Sequence, residues 1–494
     1  MWRLISLPHI RRDRDIVAEQ PVMQKQFILR RKNRGLAPLS FAQERLWFLD
    51  QLEPNSPRYN VSRALRLRGS LDLAALQESL DAIVSRHETL RSNFREVDGM
   101  PVQLIGPPVK SPMIFVDLSD QPVSEREPRL IGFLNEQVLR PYDLSFDLML
   151  RASLVRLTPR DHVLLLVLPH ISADGWSMIV LCRELITLYD SLVHGGPCPL
   201  PDLPIQYADF AVWQRDRLQG EVLNKQLAYW SRAVAGISRL DLPTDYTRPI
   251  LPGCRNSAQT SKYPKALTDQ LSGLAQKERT TLFMTLLAAF KTLLYKYTSQ
   301  FDIAVGCPIA NRQYVELEGL IGLFANTLVF RSNLSTNPTF RELLTRVREV
   351  ALGAYEYQDL PFEKLVAELQ PDRDLSRSPL VQATFQLRNY PSQLVQLSDL
   401  TMEPFELNTG IAKFDLSLAM TNEADGLKVE IEYNPDLFES ATIARMFGHF
   451  QCLLEGIVAH PDRCISDLPI LTEPERHQLL AEWNDTKGDY PKDK

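Results

Sequence analysis

Cysteine is scarce and scattered. The six residues, Cys182, Cys198, Cys254, Cys307, Cys452 and Cys464, form no close pairs. That spacing argues against a zinc site and a disulfide framework, and it fits a reducing cytoplasm. No apolar run approaches the ~18 residues that span a bilayer. The N-terminus, with Arg11, Arg12 and Asp13 close behind Met1 to His9, lacks a signal peptide's apolar core. Neither sign of charge dominates: 55 Lys and Arg against 61 Asp and Glu leave −6, no footprint for nucleic acid. No sequence repeat is visible.

What is present is an ordinary globular composition, 44% hydrophobic and 23% charged, over 494 residues, which suggests two to four domains or lobes. A basic run, Arg30-Arg31-Lys32-Asn33-Arg34, reads as a solvated leader or linker rather than a docking patch.

The chain is organised around Val163-Leu164-Leu165-Leu166-Val167-Leu168-Pro169-His170-Ile171-Ser172-Ala173-Asp174-Gly175-Trp176-Ser177. It begins as a continuous apolar run of strand length. From Gly175 it changes to a helical period with Met178, Leu181, Leu185 and Leu188 on one face. A strand therefore runs into a helix, with Asp174 placed to cap it. His170 stands at the strand end, where a sheet can hold an imidazole at the mouth of a cleft. Such a histidine is either a general base or a hydrogen-bonded structural residue, and the short motif alone leaves both readings open.

Around this stretch, Ser40 predicts the cap of a helix containing Ala42, Arg45, Leu46 and Leu49. Arg63 to Gly69 alternates like a half-exposed strand, and Leu71 to Arg86 has the amphipathic period of a helix closed by His87, Glu88 and Arg91. His87 reads as a capping or salt-bridged residue. Leu148–Leu157 and the strand from Val163 predict a hairpin across Pro159-Arg160-Asp161. Later come helices over Tyr207–Asp216, around Tyr229–Val234 and over Leu282–Tyr297, then a strand from Asp302 into the turn Pro308-Ile309-Ala310-Asn311-Arg312. Thr472-Glu473-Pro474-Glu475 predicts a helix start with Pro in its first turn.

The central stretch resembles the His-His-x-x-x-Asp-Gly core motif of the condensation domains of nonribosomal peptide synthetases. Six further segments match that family in order: Leu39–Leu49, Arg86–Phe94, Tyr207–Trp213, Ile321–Thr327, Tyr357–Glu363 and Arg373–Gln382. One departure stands out, because Pro169 occupies the position of the first histidine. A strand tolerates Pro at its end or edge.

The resemblance implies a mixed α/β fold, two chloramphenicol-acetyltransferase-like lobes in a V with a central tunnel. The expected division is a leader over 1–36, an N-terminal lobe over 37–210, a C-terminal lobe over 211–471 and a linker toward an adenylation domain over 472–494. It implies amide formation between a donor acyl or peptidyl thioester and an acceptor aminoacyl amine, both on 4′-phosphopantetheine arms of carrier proteins. No metal or directly bound cofactor, no nucleic acid and no membrane enter this picture, in which the chain is a monomeric cytoplasmic piece of a larger synthetase. His170 would orient or deprotonate the amine, or stabilise the tetrahedral intermediate. Asp174 would be ion-paired beneath the motif, with Arg312 as its partner, and Gly175 would serve close backbone passage or an unusual conformation. Trp176, Ser177, Arg45 and Asn326 are candidates for the tunnel wall, with Trp176 equally readable as core. Arg373, Asp374 and Arg377 would form a salt-bridge set.

Within the same superfamily, an epimerisation domain fits the later segments less well. The paired aspartates of a heterocyclisation domain and the Asp-Phe-Gly-Trp-Gly motif of plant acyltransferases are absent. A catalytically silent module that recruits a partner enzyme, or a modified domain that also alters the residue it joins, is the alternative that Pro169 keeps open.

Overall fold

The computed structural model describes residues 28–32, 35–249, 256–369, 378–388, 395–397, 399–407 and 414–484. Two six-stranded sheets carry the architecture. In the N-terminal sheet the strand order is Val395–Gln396, Leu400–Phe405, Asn60–Gly69, Asp161–Pro169, Arg151–Thr158 and Met113–Asp117. The apolar run thus becomes a central strand, and its two sets of alternating side chains enter different cores. Leu164, Leu166 and Leu168 pack with the helices Leu73–Arg86 and Gly175–Val193. Val163, Leu165 and Val167 pack with Leu130, Leu134 and Val138 of the helix Val123–Leu139. Burial on both faces is why this strand shows no polar alternation. The expected hairpin is present, with Arg151–Thr158 antiparallel to Asp161–Pro169.

The C-terminal sheet runs Asn326–Asn333, Asp302–Ile309, Ala383–Arg388, Leu416–Glu423, Gly426–Tyr433 and Ser257–Pro264. The helices Lys265–Lys277, Leu282–Thr298, Phe340–Glu356 and Ser440–Ala459 share one core with it. A small third sheet joins Leu36–Pro38, Met100–Ile105 and Ser92–Val97. Among the described residues no helix is long and apolar enough to cross a membrane.

Three observations bear on the sequence expectations. The helix Tyr207–Arg217 spans the boundary expected at 210, and its Tyr207 and Phe210 share a core with Leu39, Val163 and Leu165 as well as with Leu323 and Phe324. The strand Leu400–Phe405, from the C-terminal half, pairs with Asn60–Gly69 in the N-terminal sheet. The basic run is no solvated leader where it is described. Ile28 is buried, and Arg31, 7% exposed, bridges Glu88 at 2.5 Å and Asp209 at 2.8 Å, while Arg30 donates to the carbonyls of Leu203 and Pro204. At the far end Thr472 caps the helix Glu473–His477 through a capping box, with Pro474 in its first turn. Residues 1–27 and 485–494 of the expected leader and linker, and the set Arg373, Asp374 and Arg377, lie outside the described residues.

Candidate active site

Pairing register explains how Pro169 fits. It lies opposite Asn60, and the next residue, His170, donates its N–H to the Tyr59 carbonyl at 2.7 Å. Antiparallel alternation then turns the backbone nitrogen of residue 169 toward the other neighbour, whose pairing stops with Arg151 opposite Val167. No ladder bond is lost to the proline ring.

Beyond it the chain makes a tight turn. Ser172 donates its N–H and Oγ–H to the Pro169 carbonyl at 3.0 and 2.9 Å, and buried Gln43 donates Nε2–H to the Ile171 carbonyl at 3.2 Å. Within this turn His170 Nδ1 lies 2.8 Å from the Ala173 carbonyl oxygen. A carbonyl only accepts, so Nδ1 carries the proton and the neutral ring has its lone pair on Nε2. Half-buried His170 and buried Pro169 line a cleft with Leu46, Asp50, Tyr142 and Leu144.

Asp174 is the centre of a buried knot between the lobes. It caps the helix Gly175–Val193: its Oδ1 accepts Ser177 N–H at 2.8 Å and Ser177 Oγ–H at 2.7 Å, with Arg312 Nη2 at 3.3 Å. Its Oδ2 accepts the N–H groups of Phe324 and Ala325 at 2.9 and 3.0 Å. Asp174 and Arg312 are 1% and 2% exposed, so this pair sits away from water. Arg312 also donates to the carbonyls of Leu317 and Leu320 and stacks 4.1 Å over Phe324, while burial lowers its pKa. Gly175 is exposed, has no left-handed φ, and a Cβ built on it meets nothing within 4 Å. The conformational reason expected for this glycine is absent, and what it leaves is open space.

The other candidates separate. Ser177 is fully buried in the knot, accepting Gly322 N–H at 3.0 Å, so it lines no tunnel. Asn326 is spent within its own lobe, donating to the carbonyls of Gln358 and Leu360 and accepting from Thr327 and Phe362, and it too is no wall residue. Half-buried Trp176 donates Nε1–H to the Glu318 carbonyl at 2.9 Å. Exposed Arg45 reaches across to Glu363 at 2.8 Å. His87 is buried against Glu184 at 2.8 Å with its pKa lowered by burial, which removes it from the cleft. Sequence reasoning misses Gln43 and Tyr207. Both lie inside family-like segments, but only the fold shows Gln43 holding the His170 turn and Tyr207 bridging Ser40 and the Leu323 carbonyl at 2.7 Å each.

The condensation-domain family matches residues 33–480. The chain belongs to that family. This condensation domain is 48% identical over 460 residues to one of the linear gramicidin synthase proteins of Brevibacillus parabrevis, covering 92% of the chain and 9% of that protein. It is 43% identical over 450 residues to chondramide synthase of Chondromyces crocatus, covering 91% and 12%. The domain thus spans about a tenth of the length of these curated relatives. Among solved structures it is similar to the X-domain from teicoplanin biosynthesis, with a TM-score of 0.81 and 29% identity over 90% of this chain and all of that one. It shares its fold with a four-domain nonribosomal peptide synthetase at a TM-score of 0.79 and 24% identity, over 89% of this chain and 34% of that one. The domain is a mixed α/β protein of the chloramphenicol-acetyltransferase-like type.

Proposed function

We propose that this domain transfers a donor acyl or peptidyl group from a carrier protein's phosphopantetheine thiol to the amine of an aminoacyl thioester on a second carrier. The observation that carries the reading is the His170 ring on the cleft wall, pinned through Nδ1 by the Ala173 carbonyl in the tautomer whose basic nitrogen is Nε2. The amine nitrogen attacks the thioester carbonyl as its proton passes to Nε2. The C–N bond forms, the tetrahedral intermediate collapses, the C–S bond breaks, and the thiolate takes the proton back as thiol. A thioester is already activated, so holding both reactants can supply ~7–11 kcal/mol of the barrier. Asp174 and Arg312 support the turn from below. The carriers, an adjoining adenylation domain and a cytoplasmic setting belong to this reading, which the multidomain relatives support.

The test is intact-protein mass spectrometry of loaded donor and acceptor carriers incubated with the domain and with His170→Ala. Transfer of donor mass onto the acceptor, lost in the variant, is expected. Carrier binding without transfer by the unaltered domain, over several donor–acceptor combinations, would favour a recruiting module, to which the likeness to an X-domain would then speak.

A further inference from the structure

The cleft beside His170 holds a carboxylate that its own surroundings do not stabilise. Asp50 lies in the last turn of the helix Phe41–Leu52, which has no basic residue there, so its charge opposes the negative end of the helix dipole. It is half-buried, and burial together with nearby Asp143 raises its pKa. It accepts a long hydrogen bond from neighbouring Gln51, 3.3 Å. Among the described residues neither Asp50 nor Glu53, also on the cleft, enters an ion pair, and no Lys or Arg lines the cleft. Two other polar groups there are already engaged. Tyr142 donates to the Val167 carbonyl, and Asn60 Nδ2 donates to the carbonyls of Val138 and Arg140.

Dipole, burial and like charge all disfavour an anion at this point, and one cation placed in the cleft would relieve all three. The proposed reaction brings such a cation. An α-amine with an ordinary pKa near 8 is largely ammonium at neutral pH, and must reach His170 before it can attack. Resting on the reaction proposed above, we propose that Asp50 receives the acceptor's amine as its ammonium ion and holds it beside His170. It is a binding and positioning residue and stays ionised throughout: the ammonium releases one proton to solvent, and the proton lost as the C–N bond forms passes to His170 Nε2 and on to the leaving thiolate. The apolar surfaces of Leu46, Leu49 and Leu144 line the same cleft and lower the number of waters that can compete for the pair.

The experiment uses one acceptor carrier loaded either with alanine or with lactate, whose hydroxyl replaces the ammonium without charge. Binding of each fluorescently labelled carrier to the intact domain is read by anisotropy, alongside amide formation by mass spectrometry. For Asp50→Asn, alanyl-carrier affinity is expected to fall about tenfold while lactyl-carrier affinity is unchanged, with partial recovery in Asp50→Glu. Equal loss for both carriers, or no loss for either, overturns the proposal. Because anisotropy needs no turnover, failure of the unaltered domain to form amide would refute the reaction while leaving the charge-dependent binding result to judge Asp50.

Discussion

Replacing Asp174 by alanine removes the acceptor for two backbone N–H groups on the crossing segment, for the Ser177 cap and for a buried guanidinium. Leaving buried Arg312 without its counter-charge costs about 3–5 kcal/mol, and each unsatisfied buried N–H about 1–3 kcal/mol. These losses overlap because the segment can relax and admit water, so about 4–6 kcal/mol is the expected destabilisation, a large share of what a folded domain possesses. Adding Arg312→Met removes the stranded charge. The double variant should then recover about 2 kcal/mol relative to Asp174→Ala alone, a coupling that a cycle of four proteins measures directly. Urea denaturation followed by tryptophan fluorescence gives the stabilities, and carrier-to-carrier transfer gives the activity. A loss below about 1 kcal/mol for Asp174→Ala, or strict additivity with Arg312→Met, would refute the view that this pair ties the lobes.

Lys291 is fully buried, donating among the described residues only to Ser332 Oγ at 2.7 Å, and burial lowers its pKa to about 7. Between about pH 7 and 10 the unfolded chain holds a proton that the folded chain releases, so stability should rise with pH by up to ~1.4 kcal/mol per unit. Lys291→Met should abolish that rise and be the more stable protein at pH 7.5, as urea midpoints across the range will show. A Cβ at Gly322 would stand 1.9 Å from the Tyr207 ring, whereas one at exposed, helical Gly132 meets nothing. Gly322→Ala should therefore lower stability by about 2–3 kcal/mol and Gly132→Ala raise it by about 0.5–1 kcal/mol, opposite signs readable in thermal melts. Arg31→Met should cost about 3 kcal/mol by stranding Glu88 and Asp209, where a solvated leader would show nothing.

What sequence made legible was local. The uninterrupted apolar run told of a strand, and Ser40, Asp174 and Thr472 marked helix starts because capping is settled within three or four residues. What it concealed was set by distant partners. Arg31 looked solvated because charge runs usually are, and only the fold brings Glu88 and Asp209 to it. Ser177 and Asn326 looked like wall residues because a short polar side chain gives no sign of whether its hydrogen bonds point into a channel or into a knot. The strand Leu400–Phe405 could not be assigned to its sheet, since pairing across so long a separation leaves no trace in either segment.

That strand has a consequence for how the molecule can be made and taken apart. A ribosome delivers it only after much of the second lobe has emerged, so until then the edge of Asn60–Gly69 opposite the motif strand lies open. An open edge invites pairing with other chains, which gives slow release and chaperone dependence a physical basis. A chain severed after the helix Tyr207–Arg217 would not yield two self-sufficient halves: the first would need a strand donated by the second, and the two would assemble by complementation or precipitate.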